Sequence, residues 1–259
     1  MTTVFDVFKY IDEIAPFNAA MDFDNVGILV GNEKDNVKKC IVALDITKEV
    51  VSEALDIGAN LIISHHPIIF TPLKRLVEDS VPYMLAKSGI SAICAHTNLD
   101  MAAFGVNSCL AKVLEIENTV ALSLYKTEKG ELPMGLVGDL CRPYSCDEFS
   151  KFVKEKLNCK GIRYTTTERK IKRVALCSGA GGDLIGEVIN KNADAFITGE
   201  IKHHEILLAG ENDICVVDAG HFKTEDVVVL PLVNKLSEKF DSVEFIKSSV
   251  CTDKINYIV

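Results

Sequence analysis

Three short apolar runs, KKCIVALD (38–45), NLIISHHP (60–67) and ISAICAHTNLD (90–100), alternate with stretches of helical periodicity. Strand, helix, strand, helix, strand is the pattern of a parallel sheet with helical crossovers. The first crossover starts at Thr47, a capping residue, and stops at Gly58; the second is VPYMLAKSG (81–89). Each run is apolar inside and polar at its end. In sheets of this kind, binding residues collect in the loops beyond the carboxyl ends of the strands. His65, His66, His96 and Asp100 all fall there.

The rest of the chain extends this plan. Residues 3–14 place Val4, Phe5, Phe8, Ile11 and Ile14 at helical spacing behind a threonine cap, and DNVGILVG (24–31) reads as a short strand closed by glycine. A helix follows the third run through Asn107, Leu110 and Leu114. GELPMGLVGDL (130–140) reads as a junction leading into a strand, 144–158 as an amphipathic helix and 161–166 as an edge strand. The segment 172–204 then repeats the plan of 39–66: strand VAL, helix, a small residue with Asn or Asp, an apolar strand, and a later His-His. The strands ISAICAH (90–96) and NDICVVDAGH (212–221) match as well. A βαβ plan used twice suggests a duplication. The expected architecture is α/β, with two related lobes, each a mostly parallel or mixed sheet flanked by helices, and a metal cleft between them. The first lobe, residues 1–125 plus 211–259, would carry the metal ligands; residues 126–210 would form the second.

Composition narrows the function. The 259 residues carry a formal net charge of −9, which argues against a nucleic-acid groove as the main surface. Nine cysteines, an odd number without a CxxC pair, read as reduced, buried small hydrophobes of a cytoplasmic protein. The N-terminus lacks the apolar core of a signal peptide. No stretch of 18 or more apolar residues predicts a transmembrane helix.

Three loops carry candidate chemistry. In GHFKTE (220–225), His221 and Glu225 are four apart at the start of a helix, which puts imidazole and carboxylate on one face. Lone HxxxE pairs are common, but this one follows the apolar strand ICVVD. His65 and His66 stand side by side where a strand exits, so each can address a different ion. In HTNLD, Asp100 offers an oxygen ligand; His96 is a ligand, a proton shuttle or a hydrogen-bonded strand-end histidine, and Asn98 could orient the loop. Three histidines and two carboxylates are too many for one tetrahedral ion and suit two ions with open positions; Zn, Fe, Mn and Ni all accept such a set. Glu225 is the natural bridge. Two further features stay open. GAGGDL (179–184) is either a tight turn or an anion cradle. His203, His204 and Glu205 either line a substrate cleft or form a solvated helix face or subunit contact.

Taken together, DNVGILVG, ANLIISHHPIIF, AHTNLD, GELPMGLVG, ITGEIKHH and AGHFKTE resemble, in order and over nearly the whole chain, the Nif-three-like family, whose bacterial members are often labelled GTP cyclohydrolase one, type two, homologues. The resemblance implies a dinuclear site on His65, His66, Asp100, His221 and Glu225, two related α/β lobes, and a homohexamer with its metal sites facing an internal cavity. The first functional reading is a metal-dependent hydrolase of a small molecule or nucleotide, as the cyclohydrolase label implies, with Glu225 bridging the ions and His96 as the candidate proton shuttle. The alternative is a metal-handling or adaptor protein that binds protein partners. Neither reading calls for direct nucleic-acid or membrane binding.

Overall fold

A computed structural model describes residues 1–127 and 130–258; residues 128 and 129, inside the second lobe expected at 126–210, and residue 259 lie outside the described residues. The strands are β1 (Gly27–Val30), β2 (Lys39–Ala43), β3 (Leu61–Ser64), β4 (Ser91–Cys94), β5 (Glu117–Thr127), β6 (Gly130–Tyr144), β7 (Arg163–Tyr164), β8 (Ile171–Cys177), β9 (Ala195–Thr198), β10 (Cys215–Asp218) and β11 (Glu244–Lys247). They form two sheets, ordered β1-β4-β3-β2-β11 and β5-β6-β8-β9-β10-β7. This is the mixed α/β architecture expected from the sequence.

The first unit comprises Met1–Phe104 and Val228–Thr252. Its β2, β3 and β4 run parallel, with β11 parallel at one edge and β1 antiparallel at the other. Leu61, Ile62 and Ile63 are buried completely, as central strands covered on both faces require. The crossover helix Lys48–Ile57 is capped by Thr47, whose side chain accepts from Val50 N, and ends at Gly58 in the left-handed conformation. Helix Val4–Ile14 begins with a reciprocal Thr3–Asp6 capping box. Each helix buries its apolar residues, Val4, Val7 and Ile11 in the first and Val50, Val51 and Ala54 in the crossover.

The second unit comprises Gly105–Val227 and the segment from Asp253. It repeats the motif: β8, β9 and β10 are parallel, with the short β7 antiparallel beside β10, as β1 stands beside β4. Two antiparallel strands, β6 and β5, extend its other side. β5 is an addition to the sequence reading, which assigned no strand to 117–127. The unit boundaries also differ from the sequence-based division into 1–125 plus 211–259 and 126–210. β10 hydrogen-bonds to β9 and β7, which draws residues 215–218, and His221 with Glu225 behind them, into the second unit.

Candidate metal centre

In the first unit, β3 ends at Ser64, and the chain turns out through His65 and His66. β4 ends at Cys94 and leads through His96 into the short helix Thr97–Met101, which carries Asp100. Parallel pairing holds Ser64 level with Cys94, so both exits open at one edge. Ligand atoms of His65, His66 and His96 all lie within 4.8 Å of one another.

The hydrogen bonds decide which nitrogen each ring offers. His65 Nδ1 lies 3.0 Å from the carbonyl oxygen of Ala95. A carbonyl only accepts, so Nδ1 carries the proton and Nε2 presents its lone pair. That Nε2 sits 3.6 Å from Asp100 Oδ1. His66 Nδ1 donates to Asp45 Oδ1 at 2.8 Å, and His96 Nδ1 to Asp24 Oδ1 at 2.9 Å. Burial would raise the Asp24 carboxyl, but hydrogen bonds from His96 and from the hydroxyl and amide of Thr97 outweigh it and lower its pKa to about 2. Asn98 orients the loop: its Nδ2 donates to Ala15 O at 2.7 Å and its Oδ1 accepts from His96 N at 3.0 Å. Cys94 is close by, yet burial pushes its thiol up and its Sγ donates to His65 O, so it stays protonated rather than acting as a thiolate ligand.

In the second unit, β10 leads through Gly220 into the short helix His221–Glu225. His221 Nε2 stands 3.1 Å from Glu225 Oε2, and its Nδ1 lies 2.7 Å from Glu200 Oε1. A neutral imidazole has one proton for two carboxylates. With that proton on the Glu200 side, Nε2 and the buried Glu225 oxygen are two electron-rich atoms held together, which a shared cation satisfies. Two ligand atoms that share an ion at 2.0–2.2 Å stand roughly 3 to 3.5 Å apart. The donor set, imidazole nitrogens with carboxylate oxygens, therefore fits a borderline divalent ion.

The glycine-rich turn settles as a packing device. Ser178 N donates to Asn107 Oδ1, Gly179 N to Thr224 Oγ1 and Gly181 N to Thr198 Oγ1. These three N–H groups are taken by side chains and are not offered to an anion. Gly179 has φ +60°, and a Cβ there would lie 2.2 Å from Glu225 Oε1. His203 and His204 are exposed at the start of helix His203–Glu211, whereas Glu205 is buried and accepts from Lys202 N at 2.7 Å as a cap. Near that cap, a cavity of about 270 Å³ is lined by Arg163, Asp183, Glu200, Lys202 and Glu205.

The sequence reading gives no role to Asp24, Asp45 or Glu200. Asp45 and Glu200 stand at strand exits, in ALD (43–45) and TGE (198–200), and Asp24 lies just ahead of β1, so position was the signal that could have found them.

A family model described as Duf34/NIF3 (NGG1p interacting factor 3) matches residues 2–254. A protein named GTP cyclohydrolase 1 type 2 homolog from Clostridium perfringens is 33% identical over 259 residues, with 98% of each chain covered. A solved structure of a Staphylococcus aureus hypothetical protein is similar with a TM-score of 0.91 at 29% identity, over 99% of both chains. A Bacillus cereus protein related to NIF3 shares the fold with a TM-score of 0.93 at 23% identity, also over 99% of both.

Proposed function

The chain belongs to the Duf34/NIF3 family, and from that premise we propose that it holds two divalent ions on His65, His66, Asp100, His221 and Glu225 and uses them as a hydrolase of a small molecule or nucleotide. The observation that carries the reading is the common hydrogen-bonding pattern of the imidazoles. His65, His66 and His221 each engage an acceptor through Nδ1, which directs Nε2 toward a cation. Bound ions would supply Lewis acidity and an acidified water. Glu225, buried in the second unit, would contribute negative charge to holding the ions. His96 is the proton relay: Asp24 keeps the proton on Nδ1, so Nε2 takes up and returns a proton. The name borne by curated relatives makes nucleotides the first substrate class to screen.

A second reading, metal handling or adaptor work with a protein partner, draws support from the family description, which names an interacting factor. Both readings place the chain in the cytoplasm as a homohexamer. The cytoplasmic placement follows from reading the cysteines as reduced, in keeping with the free thiols among the described residues, and the homohexamer follows from the family resemblance.

Metal analysis and turnover assays separate the readings. After loading with Mn(II), Fe(II) or Zn(II), His65→Ala and Glu225→Ala should each lose bound metal while keeping a cooperative unfolding transition. The loaded wild type should turn over a nucleotide or small phosphoester, and Glu225→Ala should not. Unchanged metal content in both variants would sink the ligand set. Full occupancy without turnover, with transfer to an apo-acceptor, would favour the second reading.

A further inference from the structure

We propose that Glu200 is a positioning residue that sets the tautomer and orientation of His221, and so governs how tightly the second unit grips metal. The inference rests on the metal-ligand reading of His221.

The local backbone exists to place this carboxylate. Thr198, fully buried at the end of β9, accepts from Gly181 N and donates to Gly179 O. The chain then passes Gly199, where a Cβ would lie 2.7 Å from His221 Cα, 2.7 Å from Thr224 Oγ1 and 2.8 Å from Gly179 O. Only a residue without a side chain lets the β9 exit rest on the turn that carries His221. Gly199 N donates to Gly179 O and Ala219 N to Thr198 O, which locks the two exits in register. The next residue, Glu200, therefore emerges beside the imidazole, with Oε1 at 2.7 Å from Nδ1.

The bland alternative is an ordinary surface ion pair. One observation counts against it. The nearby cations have carboxylates of their own: Arg163 pairs with Asp218, and Lys202 with Glu205. Glu200 is left to the histidine. Its side chain is also 61% exposed, so a pair there adds little to folding. What it does determine is which nitrogen of His221 bears the proton. With Nδ1–H directed to Glu200, Nε2 is fixed on the Glu225 side, and the negative charge behind the ring makes that nitrogen a stronger donor to a cation. His66 has the same arrangement with Asp45, whereas His65 is backed by a neutral carbonyl. Carboxylate backing is thus selective among the three rings.

The test uses the full chain loaded with Co(II), which reports affinity by chelator competition and ligand field by its visible spectrum. Glu200→Ala should weaken Co(II) binding by roughly 10- to 100-fold, shift the spectrum, and leave the thermal midpoint near that of the wild type. Glu200→Gln, whose amide oxygen still accepts from Nδ1 but carries no charge, should recover part of the loss. His221→Ala is the control. If it weakens binding while Glu200→Ala binds within twofold of wild type with an unaltered spectrum, the positioning role is wrong and the ligand reading stands. If His221→Ala also binds like wild type, the ligand reading itself fails. A Glu200→Ala chain that does not fold would show the carboxylate serving the fold rather than the ring, and would overturn the proposal equally.

Discussion

At the scale of single residues, the candidate centre depends on one side chain that is missing. Gly179 sits in the left-handed region at φ +60°, and a methyl group at its Cβ would lie 2.2 Å from Glu225 Oε1 and 3.2 Å from His221 Nε2. Its amide is also bonded to Thr224, on the same short helix as both groups. Gly179→Ala would have to move the carboxylate. We expect it to reduce bound metal by at least tenfold, and to lower stability by about 1–2 kcal/mol from backbone strain. Metal analysis with a denaturant titration checks both; a Gly179→Ala protein with full metal content would show that Glu225 is not a ligand in this position. The histidines themselves were legible as residues because paired imidazoles after an apolar strand are rare. Their carboxylate partners were not, because Asp45 and Glu200 earn a role only once the pairing of strands brings distant loops level.

At the scale of elements, strand exits organise everything. Counting from the last paired residue of β3 and β9, the second position is His66 in one unit and Glu200 in the other. The repeat therefore supplies equivalent places but fills them differently, and the later His203-His204 is not the counterpart of His65-His66. Instead those rings are exposed on a helix. The parallel strands were readable because burial on both faces leaves an unbroken apolar run. β5 was not, because it is an edge strand whose exposed Val120 and Leu124 blur the alternation that marks a half-buried strand. Elements are also joined by Asp24, which precedes β1 and binds His96 and Thr97 beyond β4. Its pKa of about 2 in the fold lies below the value of about 3.9 expected when unfolded. The folded state thus binds that proton less readily, so the stabilisation is present in full above pH ~4 and is lost as pH falls from there through about 2. Urea midpoints measured from pH 6 down to 2 should fall more steeply in the wild type than in Asp24→Asn. Parallel curves would mean that Asp24 is not ionised against His96.

At the scale of the whole molecule, one βαβ plan appears twice, and each copy carries its imidazoles and carboxylates at the same end of its parallel strands. The plan was visible in the sequence; the unit boundaries were not, because they depend on which sheet β10 joins. The side chains gathered at the strand exits are a donor set that could hold a metal ion. The most direct measurement is anomalous diffraction from crystals soaked in Mn(II) or Zn(II). The account predicts two peaks per chain, within bonding distance of His65, His66, Asp100, His221 and Glu225 and of no other side chains. Anomalous density confined to surface groups such as His203 and His204, with those five side chains contacting only water, would contradict it.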